Sequence, residues 1–166
     1  MTNRVLAYSL ALIIFAADQL TKWLMIGPLD LQSVRQIEIL PIFNLTWTEN
    51  RGISLGLLHA SSETGRWLLV AMTAAIAIAI AVWIQREKRR GDQLALGLVL
   101  GGALGNILDR SRFGYVVDFA DLHFGSFRPF LVFNIADAAI SIGVVILLLR
   151  AFLLRPARPE ENIEHA

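Results

Sequence analysis

Four long apolar stretches set the pattern of hydrophobic and polar positions along the chain. They cover about residues 5–26, 67–84, 94–112 and 132–154, and the second contains no charged residue. Because about 20 apolar residues form a helix that crosses a bilayer, each stretch is long enough, or nearly so, to span a membrane. The pattern predicts a mainly α-helical polytopic membrane protein with four transmembrane helices.

The first stretch has two interpretations, a retained helix or a cleaved signal peptide. Arg4 supplies a basic residue before the apolar run, and Ala16 and Ala17 are small enough for a cleavage site. However, the run continues past them to Ile26, and Asp18 fits poorly at a cleavage junction. We therefore expect a retained membrane helix.

The two longer segments between the helices have patterns of their own. Within 27–66, residues 34–39 and 44–48 are short β-prone runs, which predict a small extracytoplasmic β-sheet on the membrane surface. The segment 113–131 is rich in aromatic residues, which predict a short interfacial helix or loop with its rings in the headgroup layer. We expect a disordered tail at 155–166 and a single membrane domain over 1–166. Its aromatic residues include Phe113, Tyr115, Phe119, Phe124 and Phe127.

Basic residues concentrate in one connection and near both ends of the chain. The sequence QREKRRGD at 85–92 contains four of them, and Arg4, Arg155 and Arg158 flank the outermost spans. Cytoplasmic loops of membrane proteins carry an excess of Lys and Arg, so both termini and the 85–92 connection are predicted to be cytoplasmic. The two longer segments then face outward.

Composition and charge exclude several classes of protein. The 166 residues are 55% hydrophobic and 17% charged, with a formal net charge of +1, whereas soluble domains carry about a quarter charged residues. A cytosolic globule is therefore excluded, as is a nucleic-acid-binding protein, which needs a basic surplus. The chain has no cysteine, and its three histidines form no metal-ligand spacing. We expect no disulfide, no thiol nucleophile, no metal and no cofactor.

Four aspartates converge at one depth of the predicted bundle. Asp18 lies 13 residues after Val5, about 20 Å along a helix, in the outer half of the first span. Asp109, Asp118 and Asp137 lie at the outer end of the third span, in the next loop and near the start of the fourth span. Ionisable residues in a span indicate function by default, because an unpaired charge in hydrocarbon is costly. Four further polar residues lie at the same level: Asn50, Asn106, Arg110 and Asn134.

Two of these aspartates have a basic neighbour in the sequence. Asp18 and Lys22 stand four residues apart on one helix face, so that an ordinary structural pair and support of a site are both open. Asp109 and Arg110 are better interpreted as a structural helix-end pair than as functional residues.

Asp118 and Asp137 have no basic residue within helical reach, and they are our candidates for two carboxylates that meet. Asn134 lies one turn before Asp137 on the same face. Two carboxyl groups held close together share one proton, so the pair contains an acid and a base at the same pH. Such a pair can hydrolyse a peptide bond with activated water, since one Asp accepts a proton from water and the other protonates the scissile carbonyl. Which Asp starts protonated stays open.

Two motifs contain glycines at regular spacing. Gly97, Gly101 and Gly105 repeat every four residues, which predicts a close-packing face on the third helix. The sequence GISLG at 52–56 matches the G-x-S-x-G pattern of serine hydrolases. That motif needs a strand–turn–helix elbow on an α/β sheet and a partner His, and this chain has no room for such a sheet. We therefore do not favour Ser54 as a nucleophile.

Five motifs occur in order over about residues 5–150: Asp18–Lys22 (DQLTK), Asn50–Gly52 (NRG), Gly101–Arg110 (GGALGNILDR), Val116–Phe119 (VVDF) and Phe133–Asp137 (FNIAD). In order and spacing they resemble the motifs of the bacterial lipoprotein signal peptidases, or signal peptidases II, a family of membrane aspartyl proteases. One departure is that small residues and then Phe commonly follow the second motif in the family, whereas Ile53, Ser54 and Leu55 follow it here.

The resemblance implies a substrate and a set of site residues. The substrate would be a prolipoprotein whose lipobox cysteine carries diacylglyceryl, cut on the N-terminal side of that cysteine among the lipids of the bacterial inner membrane. The oligomeric state stays open, although a monomer would suffice. The outer segments would clamp the substrate as the family's β-cradle and periplasmic helix do, and the inhibitor globomycin would occupy the same cleft. Asp118 and Asp137 would be the catalytic dyad. The substrate-binding and supporting residues would be Asp18, Lys22, Asn50, Gly52, Gly105, Asn106, Asp109, Arg110, Asn134 and Ala136.

Two other functions compete with proteolysis. Acidic residues in spans also mark the ion paths of proton-coupled transporters, but a transporter needs polar groups through the full depth of the membrane, and the second span has none. A non-catalytic assembly protein would use the glycine face and the aromatic segment to bind partners. It gives no reason for two unpaired aspartates at the outer boundary.

Overall fold

A computed structural model of the chain describes residues 3–52, 63–125 and 127–153. Ser54 and the tail 155–166 therefore lie outside the described residues. The described elements are α1 (Asn3–Ile26), α2 (Leu31–Val34), β1 (Gln36–Leu40), β2 (Phe43–Asn50), α3 (Glu63–Arg86), α4 (Arg90–Phe113), β3 (Val116–Leu122) and α5 (Ile135–Leu153).

Helices α1, α3, α4 and α5 are each long and apolar enough to cross a membrane, which confirms the prediction of four spans. Their observed bounds differ from the predicted ones at the ends. Helix α3 begins at Glu63 and α4 at Arg90, a few residues before the apolar runs, because the polar flanks of both runs are also helical.

Helix α4 lies at the centre of the bundle, where it contacts α1, α3 and α5. Half of an 18-residue apolar segment of α4 is buried inside the protein, whereas the corresponding shares for α1, α3 and α5 are 22%, 22% and 17%. Close approach to α1 depends on glycine, since a Cβ at Gly97 or Gly101 would lie 2.5 Å from the backbone oxygen of Ala7 or Ala11. The predicted close-packing face is therefore confirmed.

The core of the bundle consists of small and aliphatic side chains, among them Ala7 of α1, Ile84 of α3 and Leu96 of α4. The outer surface of the helices is apolar as well, with large exposed side chains such as Leu12 and Ile78. This distribution is expected of a bundle that is surrounded by lipid rather than by water.

A three-stranded antiparallel sheet in the order β1–β2–β3 packs against the ends of α1 and α5. We call this the sheet end of the molecule, and the opposite end, where α3 connects to α4, the hairpin end. Strands β1 and β2 overlap the two predicted β-prone runs, although Val34 at the start of the first run belongs to α2. Together with α1 and α2, the sheet encloses a second apolar core around Met25, Leu31, Trp47, Val117 and Phe119.

Strand β3 corrects the prediction of a helix or loop over 113–131. Residues Val116–Leu122 pair with β2, and Asp118 lies opposite Thr48. The strand is buried on both faces, so it lacks the alternation of apolar and polar residues by which a half-exposed strand is detected. Phe119, which we predicted to lie in the headgroup layer, is instead part of the second core.

Candidate active site

The predicted site residues come together at the sheet end, where α1, α4 and α5 meet β2 and β3. Asp18 and Lys22 come from α1, Asp118 comes from β3, and Asp137 lies in the first turn of α5. The other predicted residues that contact this cluster or one another are Asn50, Gly52, Gly105, Asn106, Asp109, Arg110, Asn134 and Ala136.

Lys22 forms the centre of a buried ionic group. Its Nζ lies 2.8 Å from Oδ2 of Asp18 and 2.8 Å from Oδ2 of Asp109. It also donates a 3.3 Å hydrogen bond to Oδ1 of Asn106. The Asp18–Lys22 pair has the expected spacing on one helix, but its buried location and its link to Asn106 connect it to the rest of the cluster.

Asp109 differs from its predicted role as the partner of Arg110. In the part of the chain that the structure describes, its ion pair is with Lys22. Its Oδ2 also accepts a 3.1 Å hydrogen bond from the backbone N–H of Val117. The side chain thus joins α1 and α4 to the start of the strand that carries Asp118.

Asp18 connects α1 to the beginning of α5. Its Oδ1 accepts a 3.0 Å hydrogen bond from the backbone N–H of Ala136, one of the donors that have no partner inside the first turn of a helix. Gly105 leaves space for this carboxylate, because a Cβ there would overlap Oδ2 of Asp18. Asp137 follows Ala136 directly, so Asp18 fixes the backbone beside it.

Asn134 links the two candidate catalytic aspartates. Its Nδ2 donates a 2.6 Å hydrogen bond to Oδ1 of Asp118, and its Oδ1 accepts a 2.8 Å hydrogen bond from the backbone N–H of Asp137. Asn106 donates a 2.8 Å hydrogen bond to Oδ1 of Asp137. Neither aspartate has an ion-pair partner within the described ranges. Neutral amides therefore orient both carboxylates.

Asn50 and Gly52 approach the pair from the end of β2. The Asn50 side chain hydrogen-bonds to Asp118 and accepts a 3.1 Å hydrogen bond from the N–H of Gly52. Gly52 has a φ of 95°, a conformation that favours glycine. This turn holds the Asn50 amide in place.

The electrostatic environment of Asp118 suits an acid at neutral pH. Burial, and secondarily the nearby charge of Asp137, raise the pKa of Asp118 from 3.8 to about 7, while hydrogen bonds from Asn50 and Asn134 oppose the rise. The guanidinium of Arg110 also interacts electrostatically with Asp118 and Asp137. The arrangement can hold a proton on one carboxyl group beside a second, ionised one.

A comparison with protein families decides what kind of protein carries this site. Residues 10–153, most of the chain and all of the cluster described above, match a family described as signal peptidase (SPase) II. The chain belongs to the signal peptidase II family. It is accordingly a membrane protease, and the resemblance noted in its five sequence motifs is confirmed.

Relatives in the signal peptidase II family cover nearly the whole chain. A lipoprotein signal peptidase of Rhizorhabdus wittichii is 56% identical over 98% of this chain and 95% of its own length. One from Sphingopyxis alaskensis is 58% identical over 87% of this chain and 83% of its own length. A bacterial membrane enzyme solved by the in meso method at 1.9 Å resolution has a similar fold, with a TM-score of 0.76 and 29% identity over 90% of this chain and 94% of that chain.

Two cavities border residues of the candidate site, and one of them reaches a candidate aspartate. One, of about 250 Å³, is lined by Asp137 together with Phe130, Phe133 and Ile142. The other, of about 170 Å³, is lined by residues of α3, α4 and α5, with polar Asn106 and Arg110 among mostly aliphatic residues. Asp137 therefore borders a mostly apolar cavity.

Sequence reasoning missed three polar residues near the signal peptidase II cluster. Gln19 donates hydrogen bonds to Asp18, at 3.2 Å, and Asp109, at 3.0 Å. Arg66 donates to the backbone oxygens of Arg110, at 2.8 Å, and Ser111, at 2.5 Å, at the end of α4. Asp121 is buried in β3 and pairs with Arg128. Gln19 lies inside the first motif, which was a usable signal, whereas the contacts of Arg66 and Asp121 depend on the fold.

Proposed function

We propose that this chain is an aspartic endopeptidase that removes the signal peptide from diacylglyceryl-modified prolipoproteins. It would cut on the N-terminal side of the lipidated cysteine, with Asp118 and Asp137 as the catalytic dyad. One observation carries the proposal: two carboxyl groups without ion-pair partners in the described residues are tied together by Asn134. The lipoprotein signal peptidases that resemble the chain support the choice of substrate.

The acid and base roles in this proposal are assigned to different aspartates. Because the pKa of Asp118 is raised to about 7, we assign the shared proton to Asp118 in the resting enzyme. Ionised Asp137 accepts a proton as water attacks the scissile carbonyl carbon, and Asp118 protonates the carbonyl oxygen. As the C–N bond breaks, Asp137 gives its proton to the leaving amine and Asp118 recovers its own. Water is consumed, one peptide becomes an acid and an amine, and the dyad returns to its starting state.

The remaining residues have positioning roles in this proposal. Lys22, Asp18 and Asp109 hold α1, α4, β3 and α5 together below the dyad. Asn50, Asn106 and Asn134 orient the carboxylates, and Arg110 stabilises negative charge that develops on them or on the substrate. Gly105 leaves room for the Asp18 carboxylate, Gly52 forms the turn after Asn50, and Ala136 donates its backbone N–H to Asp18.

The proposal includes the location of the enzyme. We assign it to the bacterial inner membrane as a monomer, with both termini cytoplasmic and the sheet end on the outer side. A substrate anchored by lipid at its cut site is processed where lipid and water meet, and the aspartates lie at the sheet end of the bundle. The basic residues of the hairpin end agree with a cytoplasmic location for that end.

Single substitutions of the dyad test the function. Asp118→Asn and Asp137→Asn should each lower cleavage of a purified diacylglyceryl-modified prolipoprotein by at least about 100-fold, since general acid–base catalysis contributes about 10²–10⁴-fold. Both variants should still insert into the membrane. Near-normal cleavage by either variant would contradict the assignment of Asp118 and Asp137 as the catalytic dyad.

Two controls separate this result from unrelated losses. Asp92→Asn makes the same chemical change at the hairpin end, where Asp92 pairs with Arg150, and should retain most of the activity. EDTA should leave the rate of the unmodified enzyme unchanged, because no step is assigned to a metal. Inhibition by EDTA that added metal reverses would contradict the mechanism.

A further inference from the structure

An exposed aromatic patch at the sheet end is not explained by the proposed chemistry. It consists of Phe124, Phe127, Phe130 and Leu131, whose side chains are 53%, 64%, 61% and 91% exposed. Two neighbouring phenylalanines are less exposed, since Phe119 lies in the second core and Phe133 packs against it. Large exposed apolar patches mark surfaces of interaction.

The aromatic patch is continuous with the apolar surface of α5. Phe130 lines one cavity together with Phe133 and Ile142, and Ile142 belongs to a set of exposed apolar side chains along the helix. Because α5 is long and apolar enough to span a membrane, its exposed apolar surface faces lipid. The patch therefore lies where that lipid-facing surface reaches the sheet end. The exposed set on α5 includes Ile142, Val145, Leu148, Leu149 and Phe152.

The one charged residue beside the aromatic patch is turned toward the sheet. Arg128 is the only Asp, Glu, Lys or Arg between Leu122 and Asp137, and its Nε lies 3.3 Å from Oδ1 of buried Asp121. Thr46 of β2 donates a 3.1 Å hydrogen bond to the other oxygen of Asp121. Pairing makes a charge less costly at the edge of hydrocarbon, so this ion pair suits a segment that enters lipid.

We propose that the aromatic patch inserts into the lipid interface at the sheet end and that the Arg128–Asp121 pair holds it at a fixed depth. The occupant of this surface is the bilayer itself, in the region where acyl chains begin. Phe130 then forms the lipid-side wall of the cavity that contains Asp137. The insertion follows from the surface and its continuity with α5, and it does not depend on which reaction the aspartates catalyse.

Fluorescence quenching measures this depth directly. Because the chain has no cysteine, Leu131→Cys gives a single site for an environment-sensitive fluorophore in the full-length protein. In phosphatidylcholine vesicles, spin labels on the lipid acyl chains should quench most of this fluorescence, and aqueous iodide should quench little of it. Glu38→Cys on exposed β1 is the matched control and should show the reverse pattern.

Two results of this experiment would overturn the insertion. If iodide quenches the label at position 131 as strongly as the label at position 38, the patch lies in water. If neither quencher reaches it, a protein, such as a second copy of the chain, covers the patch instead of lipid. In the labelled Leu131→Cys protein, Asp137→Asn should leave the quenching unchanged. The insertion depth is therefore tested independently of the proposed proteolysis.

A second substitution tests the role of the ion pair. In the labelled Leu131→Cys protein, Arg128→Gln should reduce quenching by the acyl-chain spin labels, because the patch is no longer tied to Asp121. Arg51→Gln is a matched control, since Arg51 forms an exposed ion pair with Glu49 at 2.6 Å, and it should leave the quenching unchanged. Equal quenching in the two variants would refute the proposed anchor.

Discussion

Asn134 fixes the positions of Asp118 and Asp137 relative to each other without neutralising the charge of either carboxyl group. One side-chain amide donates to Asp118 and accepts from the backbone of Asp137. A lysine or arginine in the same place would favour the ionised form of both groups, and the proton that an acid–base pair needs would be lost. The uncharged amide therefore suits a pair that must keep one proton at neutral pH.

The pH profile of cleavage should depend on this amide. Because burial raises the pKa of Asp118 to about 7 and only the protonated form can donate, kcat/KM is expected to fall as the pH rises through about 7. The hydrogen bond from Asn134 lowers that pKa, so Asn134→Ala should raise it and move the alkaline limb to higher pH. Rates measured on a lipidated prolipoprotein across the neutral range test both statements.

The control for this profile is another buried asparagine. Asn44 lies in β2, opposite Asp121 rather than Asp118, so Asn44→Ala should leave the position of the limb unchanged. A limb that moves to lower pH in Asn134→Ala, or does not move at all, would contradict the assignment of the proton to Asp118.

At the level of elements, the periodicity of apolar residues in the sequence predicted the four long helices. It did not reveal strand β3 or the Asp109–Lys22 ion pair. The four spans and the Asp18–Lys22 contact follow from helical spacing, which the sequence contains. Strand β3 is buried on both faces, so its residues show no alternation that would indicate a strand. The Asp109–Lys22 pair joins positions on α4 and α1, and only the packing of these helices shows that Lys22, not Arg110, is the partner.

Helix α4 has glycine at 105 because the carboxylate of Asp18 occupies the space of a Cβ. Gly105→Ala should destabilise the protein by about 1–3 kcal/mol, the usual effect of overpacking. It should also lower kcat, because the displaced Asp18 no longer holds the backbone N–H of Ala136 beside Asp137. Thermal unfolding in detergent and kcat on the lipidated substrate measure the two effects.

Gly101→Ala separates the loss of packing from the loss of positioning. A Cβ at Gly101 would also be too close to α1, at 2.5 Å from the backbone oxygen of Ala11, but it would contact no residue of the proposed site. This variant should unfold at a lower temperature and keep most of the kcat per folded molecule. If both variants lose kcat equally, Gly105 acts through packing alone.

The whole molecule keeps its two groups of charged residues at opposite ends of an apolar bundle. At the hairpin end, Gln93 donates hydrogen bonds to the backbone oxygens of Ile84, at 3.2 Å, and Glu87, at 2.8 Å, which close the connection between α3 and α4. Four basic residues surround that connection. Between this end and the site lies a core of Ala, Ile, Leu and Val side chains, so in the described residues the buried ionic network does not extend across the bundle.

This separation makes a prediction about orientation that two matched substitutions can test. Gln32, in α2 at the sheet end, and Gln85, in the last turn of α3 at the hairpin end, are both exposed. Replacing either with cysteine leaves every charge in place. If the basic hairpin is cytoplasmic, a membrane-impermeant thiol reagent added to intact cells with a permeabilised outer membrane should label Gln32→Cys at once. It should label Gln85→Cys only after the inner membrane is opened. The reverse pattern would place the aspartates on the cytoplasmic side. A lipoprotein substrate that is translocated before cleavage would not reach them there, so this result would contradict both the orientation and the proposed substrate.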